Sequence, residues 1–138
     1  MLEQESLNST FSLPISIFFN DNLSSLETIT KFLREEKNLR YSEIAKILGR
    51  DERTIWCTYS NSKKKMEGKL DTTDSEISIP ISTIKSRELS VLETITEYLK
   101  EELSMKFTRI AEVMKRDYRT IWTVYRRAKA KRRENAAA

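Results

Sequence analysis

The sequence holds no histidine, one cysteine and two glycines among its 138 residues. Without histidine there is no imidazole base, no Ser-His or Cys-His nucleophile pair, and no nitrogen ligand of the usual kind for zinc. Cys57 stands alone, which excludes an intrachain disulfide framework and any CxxC redox or zinc site. With only Gly49 and Gly68, no glycine-rich phosphate loop can be built. Long apolar runs are missing as well. No stretch approaches the roughly 18–20 residues of a membrane span, and no signal peptide is visible at Met1. What is present is charge: 25 Lys and Arg against 21 Asp and Glu, for a formal net charge of +4. Hydrophobic residues at 38% and charged residues at 33% suit a soluble helical protein with a thin core rather than a disordered chain. These limits read as a cytoplasmic binding protein, not an enzyme, with no cofactor and no metal.

The chain repeats itself without gaps at an offset of 66 residues. Leu13-Pro14-Ile15-Ser16-Ile17 returns as Ile79-Pro80-Ile81-Ser82-Thr83, and Leu26-Glu27-Thr28-Ile29-Thr30 as Leu92-Glu93-Thr94-Ile95-Thr96. Arg53-Thr54-Ile55-Trp56 returns as Arg119-Thr120-Ile121-Trp122, and Tyr59 as Tyr125. Two copies are too few for a solenoid, so the reading is a duplicated small domain, a single-chain pseudo-dimer. The boundaries are a flexible N-terminus at 1–12, a first copy at 13–65, a polar linker at 66–78 and a second copy at 79–133. Ala136-Ala137-Ala138 is set aside as a cloning remnant.

Each copy predicts three helices in a mostly α fold. Ser24 with Glu27, and Ser90 with Glu93, are capping boxes that open helix one. Leu26, Ile29, Phe32 and Leu33 follow at helical spacing, mirrored by Leu92, Ile95, Tyr98 and Leu99, predicting helices over Ser25–Lys37 and Val91–Leu103. Helix two covers Tyr41–Leu48 and Phe107–Met114, with Arg40 and Lys106 as poor caps. Asp51 and Asp117 are N-caps for a third helix that carries Ile55, Trp56 and Tyr59, or Ile121, Trp122 and Tyr125. Ahead of each trio, 13–18 and 79–84 alternate as short β-strands. A lone strand cannot satisfy its own backbone, so the two are expected to pair across a pseudo-twofold axis, with the prolines keeping them at an edge. The same segments offer a route to self-association. A trihelical unit of about 50 residues is marginal alone, so the copies are expected to dock.

The stretch from Tyr41 to Trp56 resembles the helix-turn-helix of DNA-binding domains, and is most similar to the sigma-factor region-four and homeodomain-like versions. Ile44-Ala45, Gly49 four residues after the alanine and Ile55 ten residues after it carry the resemblance. The alanine lets two helices cross closely, the glycine allows a left-handed turn, and the isoleucine anchors the third helix. The second copy keeps Ala111 and Ile121 but has Lys115 where Gly49 stands, a costly choice for a left-handed residue.

The resemblance implies that the third helix enters the major groove with its first residues at base edges. Arg53, Thr54, Tyr118, Arg119, Thr120 and Thr123 then become the candidate base contacts, the two arginines suited to guanine. Lys63, Lys64 and Lys65, with Arg126, Arg127, Lys129, Lys131, Arg132 and Arg133, become candidate phosphate contacts. Plainer roles compete. A basic helix end is favoured by the helix dipole alone, and Arg53 or Arg119 can pair with Glu52 or Asp117. Trp56 and Trp122 are expected to pack against helix one or across an interface. Tyr59 and Tyr125 are expected in the core with hydroxyls at its edge, and Cys57 carries no chemistry. Glu35-Glu36 and Glu101-Glu102 read as a solvated face.

The leading expectation is a double-stranded DNA-binding protein with recognition helices at 52–65 and 118–131 in successive major grooves, a nucleoid-associated regulator of transcription or organiser of DNA. Groove spacing of about 34 Å is within reach of a linker of about 13 residues, which spans roughly 43 Å at full stretch. The alternative is a structural protein that uses helix-turn-helix folds as assembly modules. RNA binding is a third reading, without a recognisable RNA motif behind it.

Overall fold

The computed structural model describes residues 12–20, 22–73, 77–85 and 88–137. The chain enters through a short strand, β1 (Ser12–Pro14), and leaves it in a 3-10 turn over Ile15–Phe18. Three helices follow: α1 (Ser25–Glu35), α2 (Tyr41–Leu48) and α3 (Glu52–Lys65). The order then recurs as β2 (Ser78–Pro80), a 3-10 turn over Ile81–Lys85, α4 (Val91–Glu101), α5 (Phe107–Met114) and α6 (Tyr118–Ala137). Every element of the second series starts 66 residues after its counterpart.

The strand segments are shorter than the apolar alternation predicts. Pro14 and Pro80 have no N–H to give, so each ladder stops at its proline and the β-branched residues beyond it coil into the 3-10 turn. What remains is an antiparallel pair with Ser12 opposite Pro80, Leu13 opposite Ile79 and Pro14 opposite Ser78. The centre of that register joins two positions 66 apart, and its flanks exchange equivalent positions. This is the self-complementary pattern of a twofold contact. Leu13 and Ile79 are fully buried at its middle.

Beyond the strands the two arms cross. The Ile15–Phe18 turn packs on α1 of its own half and on α5 of the other, while the Ile81–Lys85 turn packs on α4 and on α2. Helices α1 and α4 also touch. One continuous apolar core results, running from Leu13 through Ile29, Ile44 and Ile55 to Ile95, Ile110 and Ile121. Arg116 ties the halves further, donating to the carbonyl oxygens of Leu23 at 3.3 Å and Asn20 at 3.5 Å.

Local rules explain most of the helix boundaries. Both capping boxes form: the Ser24 and Ser90 hydroxyls each accept from an N3 amide, and Glu27 and Glu93 reach back to the cap amides. Helix one stops two residues earlier than its periodicity suggests, at Glu35 and Glu101. The chain turns through left-handed Asn38 and Ser104, φ 54° and 53°. Leu39 N–H then closes on the Leu33 carbonyl, and Met105 N–H on that of Leu99, each at 3.1 Å. Gly49 makes the next turn at φ 63°, and Lys115 adopts the same conformation at φ 51°. Asp51 sits at the N-cap of α3, but its carboxylate makes no capping bond.

The predicted ends need correcting. Ser12 belongs to β1 and Ser78, set in the linker, belongs to β2, while 1–11 lie outside the described residues. The helix set at 118–131 continues through Ala136 to Ala137, since nothing in Ala-Lys-Arg-Glu sequence opposes a helix. The linker is not loose where it is described: Leu70 is buried, and the Ser16 hydroxyl donates to the carbonyl oxygens of Asp71 at 2.8 Å and Thr73 at 3.1 Å.

Candidate nucleic-acid interface

The third helix of each half has an inner and an outer face. Ile55 and Ser62 turn α3 inward, and Ile121, Val124 and Ala128 do the same for α6. A residue one position away lies about 100° around the helix, so burying the isoleucines forces the neighbouring side chains outward. Arg53, Thr54, Trp56 and Cys57 are exposed on α3; Tyr118, Arg119, Thr120 and Trp122 are exposed on α6, and Thr123 is half-buried. The candidate base contacts therefore share the outer faces.

Trp56 and Trp122 are on that side too, 54% and 41% exposed, rather than packed against helix one. They do not pack on helix one because the adjacent isoleucine takes the inward position in both helices. The helical spacing Arg53–Trp56 and Arg119–Trp122, three residues each, carries that signal in the sequence. The Arg126 guanidinium lies 4.8 Å from the centre of the Trp122 ring.

The candidate phosphate contacts divide into two groups. Lys65 reaches Glu27 at 2.9 Å, and 66 residues on Lys131 reaches Glu93 at 2.8 Å. Lys129 binds Glu101 at 2.7 Å, and Arg132 binds Glu97 at 2.9 Å and also Glu88. These four side chains point back at helix one. Lys63, Lys64, Arg126, Arg127 and Arg133 are exposed and, like Arg53 and Arg119, have no carboxylate partner among the described residues.

The helix-one acids are thus not a simple solvated face. Tyr59 donates its hydroxyl to Glu35 at 2.9 Å, and Tyr125 to Glu101 at 2.8 Å, while Lys31 bonds Glu35 at 3.0 Å. Burial, with the Glu35 carboxylate accepting its proton, pushes the Tyr59 hydroxyl up to about 12, and the same causes raise Tyr125. For Glu27, burial works upward but the Ser24 cap and the Lys65 ammonium outweigh it, so the carboxyl sits below its ordinary range. Glu93 is lowered in the same way, by Lys131 and the Ser90 cap against burial. Sequence spacing alone did not reveal these contacts, because partners such as Glu27 and Lys65 are 38 residues apart.

Cys57 is a free, exposed thiol. Among the described residues no group of three or more His, Cys, Asp or Glu side chains is placed to hold a metal ion. No helix among them is long and apolar enough to cross a membrane. No protein-family model, curated protein or solved structure matches the chain.

Proposed function

We propose that the chain binds double-stranded DNA through two helix-turn-helix units, 13–65 and 79–133, duplicated and docked as a single-chain pseudo-dimer. Helices α3 and α6 are its recognition helices, laid in successive major grooves. Arg53 and Arg119 read base edges with help from Thr54, Tyr118, Thr120 and Thr123. Lys63, Lys64, Arg126, Arg127 and Arg133 hold phosphates. Its cellular role in this reading is regulation of transcription or organisation of DNA in the nucleoid.

The observation that carries the reading is how charge is sorted. A net charge of +4 is modest for a protein that grips a polyanion. Yet the helix-one acids spend themselves on Lys31, Lys65, Lys129, Lys131 and Arg132, behind the third helices. On α3 and α6 themselves the cations left without carboxylates, Arg53, Lys63, Lys64, Arg119, Arg126, Arg127 and Arg133, are all exposed. Net charge understates that surface, because Glu27, Glu93, Glu97 and Glu101 are engaged behind the third helices, although Glu52 is exposed beside Arg53 on α3.

Retardation of a random-sequence duplex in a gel at two salt concentrations tests the proposal. A shift at low salt that weakens steeply as salt rises is the expected result, since each neutralised phosphate adds about 0.9 to the slope of log K against log salt. No shift at low salt from the folded protein would leave the assembly-module reading in its place.

A further inference from the structure

We propose that Trp56 and Trp122, the chain's only tryptophans, contact thymine methyl groups in the major groove, one beside each base-reading arginine. The inference rests on the DNA-binding reading above and adds a base preference to it.

The geometry begins with Ile55 and Ile121, which are fully buried and set the rotation of α3 and α6. With that rotation fixed, Trp56 and Trp122 cannot turn into the core. Each lies three residues after its arginine, on the same helical face and one turn further along. Single exposed apolar residues on a surface need no explanation. Here two of the largest apolar side chains stand at matched positions 66 apart, on the two faces whose cations lack carboxylates.

The charge around the rings selects the partner. Arg53 precedes Trp56 by one turn on α3, with Glu52 beside it and Lys64 two turns beyond, while Arg119 and Arg126 flank Trp122 on α6; none of these cations is ion-paired among the described residues. A second copy of the chain would bring Arg119 and Arg126 against themselves, so the α6 face, which has Tyr118 where α3 has Glu52, repels its own kind. The partner must be anionic and must also offer an apolar group at the depth a helix reaches. The major groove of a duplex meets both needs, and the thymine C5-methyl is the apolar group displayed there. The rings are not equivalent. Arg126 covers one side of Trp122, whereas Ser60 stands at the matching place beside Trp56 and leaves it more exposed.

The test uses two duplexes of about 30 base pairs, roughly three helical turns. Both are alternating A·T sequences, and one has deoxyuridine in place of every thymidine. Neither contains guanine, so the arginine–guanine contact is silent and the methyl group is the only difference. Since both fluorophores lie on the proposed surface, titration at low salt should quench and shift the intrinsic emission. The thymine duplex should bind more tightly by about fourfold for each methyl contacted, the factor expected for burying one methylene-sized group. Trp56→Gln and Trp122→Gln should each lose part of that preference, and the double variant all of it, with circular dichroism unchanged. If the wild type binds both duplexes equally and its emission does not move, the inference fails while DNA binding stands. An emission change that grows with protein concentration without DNA would assign the rings to self-association and overturn it. Failure to bind either duplex at low salt overturns the inference together with the DNA-binding reading.

Discussion

Position for position, residues 12–66 and 78–132 reverse a charge where helix one meets the third helix. Lys31 in the first half stands where Glu97 stands in the second, and Met66 stands where Arg132 stands. In the first half the Lys31 side chain is fully buried and bonds Glu35 at 3.0 Å. In the second, Glu97 takes the charge of Arg132 at 2.9 Å, with Lys129 at 3.9 Å. The interior accepts either sign at this place as long as a partner neutralises it. The outer face behaves differently. Arg-Thr-Ile-Trp is the same four residues in both halves, although only the isoleucine is buried. Substitutions at exposed sites typically change stability by less than about 0.5 kcal/mol, so packing does not demand the other three. The comparison separates residues that must be compensated from exposed residues that packing leaves unexplained.

The largest break in this comparison should come from forcing the second half's sign onto the first. Lys31→Glu would bury a carboxylate one turn from Glu35 in place of its cation, a loss of about 3–5 kcal/mol. Adding Met66→Arg, which copies the second half's pair, should recover a substantial part of it. Urea denaturation of the single and double variants measures both steps, and a double variant no more stable than Lys31→Glu would show that the halves are not interchangeable here.

The isoleucine anchors should come next. Ile55→Ala and Ile121→Ala each leave a cavity under a third helix and should cost about 2–5 kcal/mol. Because both side chains belong to one continuous core, each variant should show a single thermal transition for the whole chain. Two separate transitions would mean that the halves unfold independently.

On DNA the halves should part company. Arg119→Ala should lose about 1–3 kcal/mol on a preferred site and less on random sequence. Arg53→Ala should lose less than Arg119→Ala, since Glu52 and Ser60 stand where the second half has Tyr118 and Arg126. Arg133→Ala should lower the salt slope by about one unit. Arg132→Ala should leave that slope unchanged and reduce stability instead, because its guanidinium is held by Glu97 and Glu88. Titrations at several salt concentrations distinguish these outcomes, and a slope change in Arg132→Ala would return that side chain to the phosphate group.

Acid should affect the halves alike. Glu27 and Glu93 both have lowered carboxyl pKa values in the folded chain. A lowered folded value means the unfolded state binds the proton more tightly. The stabilisation is therefore present above the ordinary glutamate pKa of about 4.3 and is lost as pH falls through the folded values. Glu27→Gln and Glu93→Gln should each flatten the acid limb of a pH–stability curve, and an unchanged limb in both would exclude these groups from it.

The smallest effect should lie at the turn before the third helix. Lys115→Gly relieves a left-handed lysine and should raise stability by about 1 kcal/mol, and Gly49→Lys should cost a similar amount. Matched melts of the two variants check the sign. A destabilised Lys115→Gly would show that the Lys115 ammonium, 5.0 Å from the centre of the Phe19 ring, is worth more than the relief of strain.

Local physics was legible in the sequence wherever one residue and its near neighbours settle the outcome. Ser24 with Glu27 and Ser90 with Glu93 begin their helices as capping boxes, and the spacing of Ile55 and Ile121 places them in the core. Gly49 closes its turn because glycine alone adopts φ 63° without a side-chain clash. The same locality misled at the arms, where β-branched residues suggested longer strands than Pro14 and Pro80 allow.

By itself, then, the sequence determined the helices, the two capping boxes, the 66-residue spacing and the pairing of the two arms, though not its register. Only the tertiary structure decided which charges are spent inside and which are left facing out. Lys129, Lys131 and Arg132 look in the sequence like their neighbours Arg126, Arg127 and Arg133. Their partners Glu101, Glu93 and Glu97 lie on a different helix, and the crossing of α4 and α6 alone brings them within reach. A charge in a run is locally equivalent to the next one, and an ion pair forms only where the fold closes the distance.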